Sequence, residues 1–264
     1  MLASVEEGDT GSGLASVDLV LDLVELLAAA PRPRGVSDIA RDLHISKARA
    51  HRHLRALVQR GYVRQDPETD RYEIGVKLLA LGEAVRDRFD VLTAMRPEMS
   101  RLREATGQAV TASALVEGAV TVLEMLQGRT LVEFGLRPGA RLDFHASAHG
   151  LIALAFGPPA LLEQVLAMPL ATFTAATLTG VQALRDEVAK VRHQGWATAM
   201  DQVLLGLNAL AAPVFDHRGE WRGAIAIVGA SQFIAAVPSE DQIAEVTRAA
   251  DEASRRLGWR VRAA

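Results

Sequence analysis

Lys47, Arg49 and Arg52 lie on a short run whose apolar positions, Ala50, Leu54, Leu57 and Val58, recur at i, i+4, i+7 and i+8. That spacing predicts a helix held by one face, with the cations on the other. Cations on the free face of a short, back-packed helix can contact phosphates and hydrogen-bond base edges in a major groove. Ser46 precedes the run, and its hydroxyl can accept from a free N–H at the helix start. The predicted DNA-contacting set is Ser46, Lys47, Ala48, Arg49 and Arg52, with Arg71 reaching a phosphate or the minor groove. A second group of residues suits a small ligand. Ser147, Ala148, His149 and Gly150 mark a helix start, where free backbone N–H groups and the helix dipole favour a carboxylate or another acceptor. His149 is the titratable candidate there, Gln202 and Asn208 could bond a hydroxyl or amide, and Thr111 and Ser113 alternate on one strand face. Phe134, Leu142, Phe144 and Trp196 are candidate walls.

The elements that must position the first group are legible around it. Val36, Ile39, Ala40 and Leu43 predict a helix before the cationic one, with His44-Ile45 as the turn between them. Gly61 stops the second helix. Tyr62–Gln65 and Arg71–Ile74 are then extended on either side of Asp66-Pro67-Glu68-Thr69-Asp70, which is turn chemistry. Helix, turn, helix and hairpin make a winged helix-turn-helix. Between Pro31 and Arg64 nine bases face only Asp38 and Asp42, a local charge of +7 in a chain of net −3. Local basicity on an acidic background is the footprint of phosphate contact. Leu14–Ala30 predicts a preceding helix with Val17, Val20, Leu21, Val24 and Leu27 on one face, closed by Pro31 and Pro33.

Composition bounds the rest. A chain of 264 residues, 49% hydrophobic, is comfortable for two domains and needs no staples. It has no cysteine, which excludes disulfides and thiolate zinc sites and suits a reducing cytoplasm. His44, His51 and His53 lack metal-ligand spacing, so no metal and no cofactor are expected. The glycine-rich, acidic start, residues 1–13, reads as a disordered leader and not a signal peptide. The apolar runs near Leu19–Ala30 and Ala224–Ala230 fall short of a membrane span.

Residues 14–75 form the expected winged domain, residues 76–90 a linker helix suited to dimer contact, and residues 91–260 a larger domain. In the larger domain Val91–Thr106 is helical, and extended segments follow at Gln108–Val116, Ala119–Leu126, Thr130–Leu136 and Ala140–His145. Helices are expected at Ala146–Phe156, Pro158–Met168, Val181–Gln194 and Glu240–Leu257, and strands at Trp196–Met200, Leu207–Asp216 and Trp221–Gly229. The turns Glu117-Gly118 and Gln127-Gly128 make the neighbouring strands antiparallel. The fold class is therefore α+β, an antiparallel sheet with helices on its faces.

With these residues in place the chain resembles the IclR family of bacterial transcriptional regulators. The resemblance rests on RYEIGVKLLALG at Arg71–Gly82, LREATG at Leu102–Gly107, HASAHG at His145–Gly150, and the long stretch Gly195–Gly229 with its Ala-Ala-Pro-Val run and hairpin. It implies a winged DNA-binding domain, a dimerising linker helix and a GAF-like domain in which a small organic effector alters promoter engagement. The implied partners are double-stranded promoter DNA, a small-molecule effector and a second copy of the chain, as a homodimer or a dimer of dimers. The departures from the family pattern matter. Leu151-Ile152 replaces Lys-Ala after Gly150, Thr198–Gln202 replaces an acidic stretch, and Ala209, Ala226 and Val228 stand where small polar residues are common. Each change removes a polar group. Burying a small polar anion without donors costs ~2–7 kcal/mol per unmet group, so a ring compound such as an aromatic acid is the expected effector. The expected effector-binding set is Phe134, Leu142, Phe144, Ser147, Ala148, His149, Trp196, Ala199, Gln202, Asn208, Ala209, Ala226 and Val228.

Two alternatives remain at this stage. The larger domain could only dimerise, its apolar site being filled core. Or Ser147 and His149 could serve a hydrolase, although the chain has no G-x-S-x-G elbow and no phosphate-binding glycine loop. No catalytic residues are expected.

Overall fold

The computed structural model describes residues 10–86, 90–129 and 136–259, and the chain divides into two compact units, Met1–Arg88 and Phe89–Ala264. The first unit holds α1 (Thr10–Ala29), α2 (Val36–Asp42), α3 (Lys47–Gln59), β1 (Val63–Gln65), β2 (Tyr72–Ile74) and α4 (Lys77–Arg86). Its core is Leu19, Leu23, Leu27, Ile39, Leu54, Leu57, Val63 and Tyr72. Helix α1 differs from expectation at two points. It begins at Thr10, so Thr10–Gly13 belong to a helix and not to a disordered leader. Its buried stripe is Leu19, Leu23 and Leu27, one helical turn apart, while Val17 and Leu21 face solvent. The helix is apolar on more than one side, so the 3.6-residue period alone allows either stripe.

Helices α2 and α3 meet through Ile39, Ala40, Ala50, Leu54 and Leu57. The turn between them places His44 at φ 53, and Gly61 at φ 76 follows α3. Strands β1 and β2 pair antiparallel with Val63 opposite Ile74, and Arg34 bridges to Tyr72, so the wing gains a third short partner. Gly75 lies so close to the end of α3 that a Cβ on it would stand 2.2 Å from the Gly61 carbonyl oxygen.

The second unit is built on a six-stranded antiparallel sheet. Its elements are α5 (Asp90–Thr106), β3 (Ala109–Val116), β4 (Ala119–Leu126), β5 (Arg141–Leu142), α6 (Ala148–Phe156), α7 (Leu161–Leu166), α8 (Val181–Gln194), β6 (Ala197–Thr198), β7 (Leu207–Phe215), β8 (Trp221–Ala230) and α9 (Glu240–Arg256). The strand order is β5-β4-β3-β8-β7-β6, so β3 and β8, distant in sequence, meet at the centre. Strand alternation sorts the side chains to two cores. Val110, Ala112, Leu210, Ala212, Ile225 and Ile227 pack on one face with α5 and α9, including Met95, Met99, Val246 and Ala253. Ala211, Ala224 and Ala226 pack on the other with α6 and α8, including Leu151, Ile152, Leu184 and Val188. The α+β architecture expected from the sequence is the one observed. Ala140–His145 contributes only Arg141 and Leu142 to the sheet, and the segment Thr130–Glu133 with Phe134 and Gly135 lies outside the described residues.

Candidate functional site

Helix α3 presents Lys47, Ala48 and Arg52 to solvent, with Arg49 half-buried beside them. Its start is fixed by Ser46, whose Oγ accepts from the Arg49 N–H at 3.2 Å. The surrounding charge is partly spent. Arg34 pairs with Asp42, Arg41 with Asp38, and Arg64 with Glu73 across the wing. Among the described residues Lys47, Arg49, Arg52, Arg55 and Arg60 make no ion pair, so the uncompensated positive charge concentrates on α3. Burial and the neighbouring Arg52 and Arg49 depress the basicity of His53. Arg71, at the wing, is exposed. Its guanidinium donates one N–H to the Pro33 carbonyl at 3.1 Å, which ties it to the chain before α2 and leaves its other donors exposed.

The second unit contains a cavity of about 220 Å³ between the start of α6, the β6–β7 connection and the ends of β7 and β8. Of the residues expected at an effector site, Leu142, Ser147, Ala148, His149, Ala199, Asn208, Ala209 and Val228 line it. Ala209 and Val228 do so as cross-strand partners on β7 and β8. Four others do not. Trp196 packs with the α5–α9 core, because it alternates with Ala197, which faces the opposite core. Phe144 and Ala226 are absorbed into the α6–α8 core without reaching the cavity wall. Gln202 is buried but not part of the lining, and its Oε1 has no partner among the described residues. Phe134 lies outside the described residues. Leu136, Ala146, Val203, Leu204 and Leu207 line the cavity and escaped the sequence reading. The signal was present: Val203-Leu204-Leu205 is an apolar run in a loop, which a purely connecting segment would not carry.

The polar side chains of the lining are already occupied. The His149 ring lies between two strand hydroxyls, Nε2 to Thr111 Oγ1 and Nδ1 to Ser113 Oγ, each at 2.7 Å. A neutral imidazole has one donor and one acceptor, so one hydroxyl donates to the ring and the other accepts from it. Complete burial holds the His149 pKa down at about 4. It is a neutral structural group and not a titrating anchor. Asn208 accepts from the Ala199 and Ala209 N–H groups and donates to the Ile234 and Ala235 carbonyls. Ser147 caps α6: its Oγ accepts from the Gly150 N–H at 3.0 Å and donates to the Asp143 carbonyl at 2.7 Å. The Ser147–His149 pairing that a hydrolase would need is therefore not made. The Ala148 and His149 N–H groups, first in α6, have no partner among the described residues and are the cavity's available donors. Gly150 lets this helix start sit against the chain before it, since a Cβ there would fall 2.4 Å from the Asp143 carbonyl oxygen.

A winged helix-turn-helix with a free cationic helix, followed by an α+β unit with an apolar cavity, is the architecture of a DNA-binding regulator. Comparison with known proteins gives the family. Residues 16–67 match the IclR helix-turn-helix domain and residues 83–255 the bacterial transcriptional regulator IclR C-terminal domain. The chain belongs to the IclR family, and it is a DNA-binding transcriptional regulator with an effector-binding domain. It is 31% identical over 247 residues to the glycerol operon regulatory protein of Streptomyces griseus, covering 93% of this chain and 97% of that one. It is 29% identical over 252 residues to the transcriptional regulator BhcR of Paracoccus denitrificans, covering 95% and 88%. Among solved structures the Thermotoga maritima IclR superposes with a TM-score of 0.82 at 24% identity, over 93% of this chain and 100% of that one. An IclR homolog from Microbacterium hydrocarbonoxydans, complexed with 4-hydroxybenzoate, gives 0.78 at 24%, over 92% and 99%. Among the described residues no helix is long and apolar enough to cross a membrane, and no cluster of side chains could hold a metal ion.

Proposed function

We propose that this regulator controls a catabolic operon in response to a small, mostly apolar effector of the aromatic-acid class, bound in the cavity beside α6. The observation that carries this reading is the lining itself. Leu136, Leu142, Ala199, Leu204, Ala209 and Val228 form apolar walls, and the α6 start supplies unpaired N–H donors. An apolar cavity of roughly 150 Å³ is known to admit benzene, so about 220 Å³ suits one substituted ring. The ring gains from the walls, and its carboxylate takes the helix-start donors. The 4-hydroxybenzoate complex of the Microbacterium homolog supports the choice of ligand class. On the DNA side, Lys47, Arg49 and Arg52 are the proposed contacts on α3, with the protein acting as a homodimer.

The test is fluorescence anisotropy on the protein's own upstream DNA, at two salt concentrations, with and without benzoate and 4-hydroxybenzoate. Salt-sensitive binding that one compound shifts is expected. The Ala209→Asp and Val228→Asp variants should lose that shift and keep DNA binding, because each places a carboxylate in the apolar wall. A response that survives both substitutions would move the effector site elsewhere.

A further inference from the structure

The segment Ala171–Thr177 belongs to no helix or strand, yet it joins two walls of the cavity. On one side the buried His145 ring donates from Nε2 to the Ala171 carbonyl at 2.8 Å, and it stacks on Phe173 with ring centroids 6.1 Å apart. His145 immediately precedes Ala146 and Ser147, which line the cavity. On the other side Thr174 Oγ1 donates to the Asp201 carbonyl at 2.5 Å and Thr177 Oγ1 to the Gln202 carbonyl at 2.6 Å. Val203 and Leu204, the next residues, form the outer wall, and both are exposed. Among the described residues every hydrogen bond from Ala171–Thr177 to the rest of the fold runs through one of these three side chains.

The bonds are also saturated. Thr177 Oγ1 accepts from the Phe173 and Thr174 N–H groups while donating to Gln202, which uses its full hydroxyl capacity. Thr174 Oγ1 accepts from the Ala176 N–H while donating to Asp201. The two threonines thus fold the segment upon itself and aim its donors at two successive carbonyls. The receiving backbone is under local constraint, because Asp201 has φ 60, a left-handed conformation unusual outside glycine. The turn is closed by its own bonds, Asp201 N–H to the Leu207 carbonyl and Gly206 N–H to Asp201 Oδ1, while the exposed Val203 and Leu204 side chains depend on where that turn is held.

We infer that Ala171–Thr177 is a clasp, with Thr174 and Thr177 positioning the Val203–Leu204 wall for ligand and His145 anchoring the opposite end. The inference rests on the cavity being the effector site. Where the wall is in place only part of the time, the apparent dissociation constant rises in inverse proportion to that fraction. Losing one buried hydroxyl–carbonyl bond should therefore weaken binding, by up to roughly tenfold.

The experiment uses full-length protein and three variants: Thr177→Val, which is isosteric and lacks the hydroxyl; Thr177→Ser, which restores it; and Thr174→Val, at a less buried position. Backbone hydrogen exchange of the unliganded proteins is measured alongside calorimetric binding of benzoate and of 4-hydroxybenzoate. Both valine variants should exchange faster over residues 201–207 while β3 and β8 stay protected, and Thr177→Ser should match the parent. Both valine variants should also bind either probe several-fold more weakly, Thr177→Val the more so because it loses three bonds where Thr174→Val loses two. Unchanged exchange at 201–207, or a serine variant as fast as the valine one, would overturn the clasp. Faster exchange with unchanged probe affinity would overturn its role in positioning the wall for ligand. If the parent binds neither probe, the aromatic-acid reading falls while the exchange data still decide the clasp. Should Thr177→Val fail to fold, Thr174→Val decides by the same readouts.

Discussion

His149 shows what a single buried side chain can contribute without touching a ligand. It is held neutral by burial between Thr111 and Ser113, with its pKa lowered to about 4 from an ordinary 6.5. Above pH 6.5 the ring is neutral in both folded and unfolded chains and exerts no pH dependence. As pH falls from 6.5 towards 4 the unfolded chain takes up a proton that the folded chain refuses, so stability falls with pH through that window. The loss should approach about 3 kcal/mol by pH 4. Urea denaturation at pH 7.5 and pH 5 should register about 2 kcal/mol of it, and in a His149→Gln variant this contribution should be absent. The sequence identified His149, Thr111 and Ser113 as polar residues that could face inward, and it could not say that they would satisfy one another. Mutual satisfaction depends on β3 meeting α6 across the sheet, a contact between distant segments that no local pattern encodes. Trp196 misses the cavity for a related reason: it lies just before β6, a strand of two residues, where a one-residue error in parity moves a side chain to the other core.

At the scale of elements the winged motif was legible because its signals are local. Ser46 caps α3, Gly61 ends it, and the Asp66–Asp70 turn closes the hairpin, each through bonds within a few residues. The partner of Arg71 was not legible, since Pro33 lies 38 residues away in sequence. The unpaired cations of α3 make a definite prediction. Replacing Arg52 by Ala should weaken operator binding by about 1–3 kcal/mol if it reads a base, as anisotropy titration would register. Arg64→Ala should have a smaller effect, because that guanidinium is committed to Glu73. The junction between wing and α4 makes another. The Gly75 N–H donates to the Tyr62 carbonyl at 2.9 Å, and the Lys77 ammonium sits 4.7 Å from the Tyr62 ring centroid. Gly75→Val would force its side chain into the Gly61 carbonyl and should destabilise the first unit by about 1–3 kcal/mol through overpacking. Chemical denaturation monitored by hydrogen exchange in β1 and β2 would show it, and an unchanged midpoint would mean that the junction relaxes freely.

At the scale of the whole molecule, charge and exposed apolar surface bear on the same proposed homodimer. The chain is net negative, so its affinity for DNA must come from the few unpaired cations that α3 presents rather than from bulk charge. One protomer offering all of Lys47, Arg49 and Arg52 to phosphates would give a salt slope of at most about −3, and a homodimer of at most about −5, each smaller by about one per protomer if Arg52 reads a base. The proposed dimer contact is α4 with Val76 just before it: Val76 and Leu79 are 80% and 59% exposed and Leu81 is 44% exposed. Three large apolar side chains so exposed around one short helix favour a covering partner. Replacing Leu79 by Glu places a charge in that contact without touching α3. Sedimentation should then show a shift from dimer to monomer, and the slope of log affinity against log salt should fall by about half. A variant that stays dimeric with the parent's salt slope would place the dimer contact on another surface. A variant that becomes monomeric with an unchanged slope would mean that one protomer already supplies every phosphate contact, leaving no electrostatic role for the second.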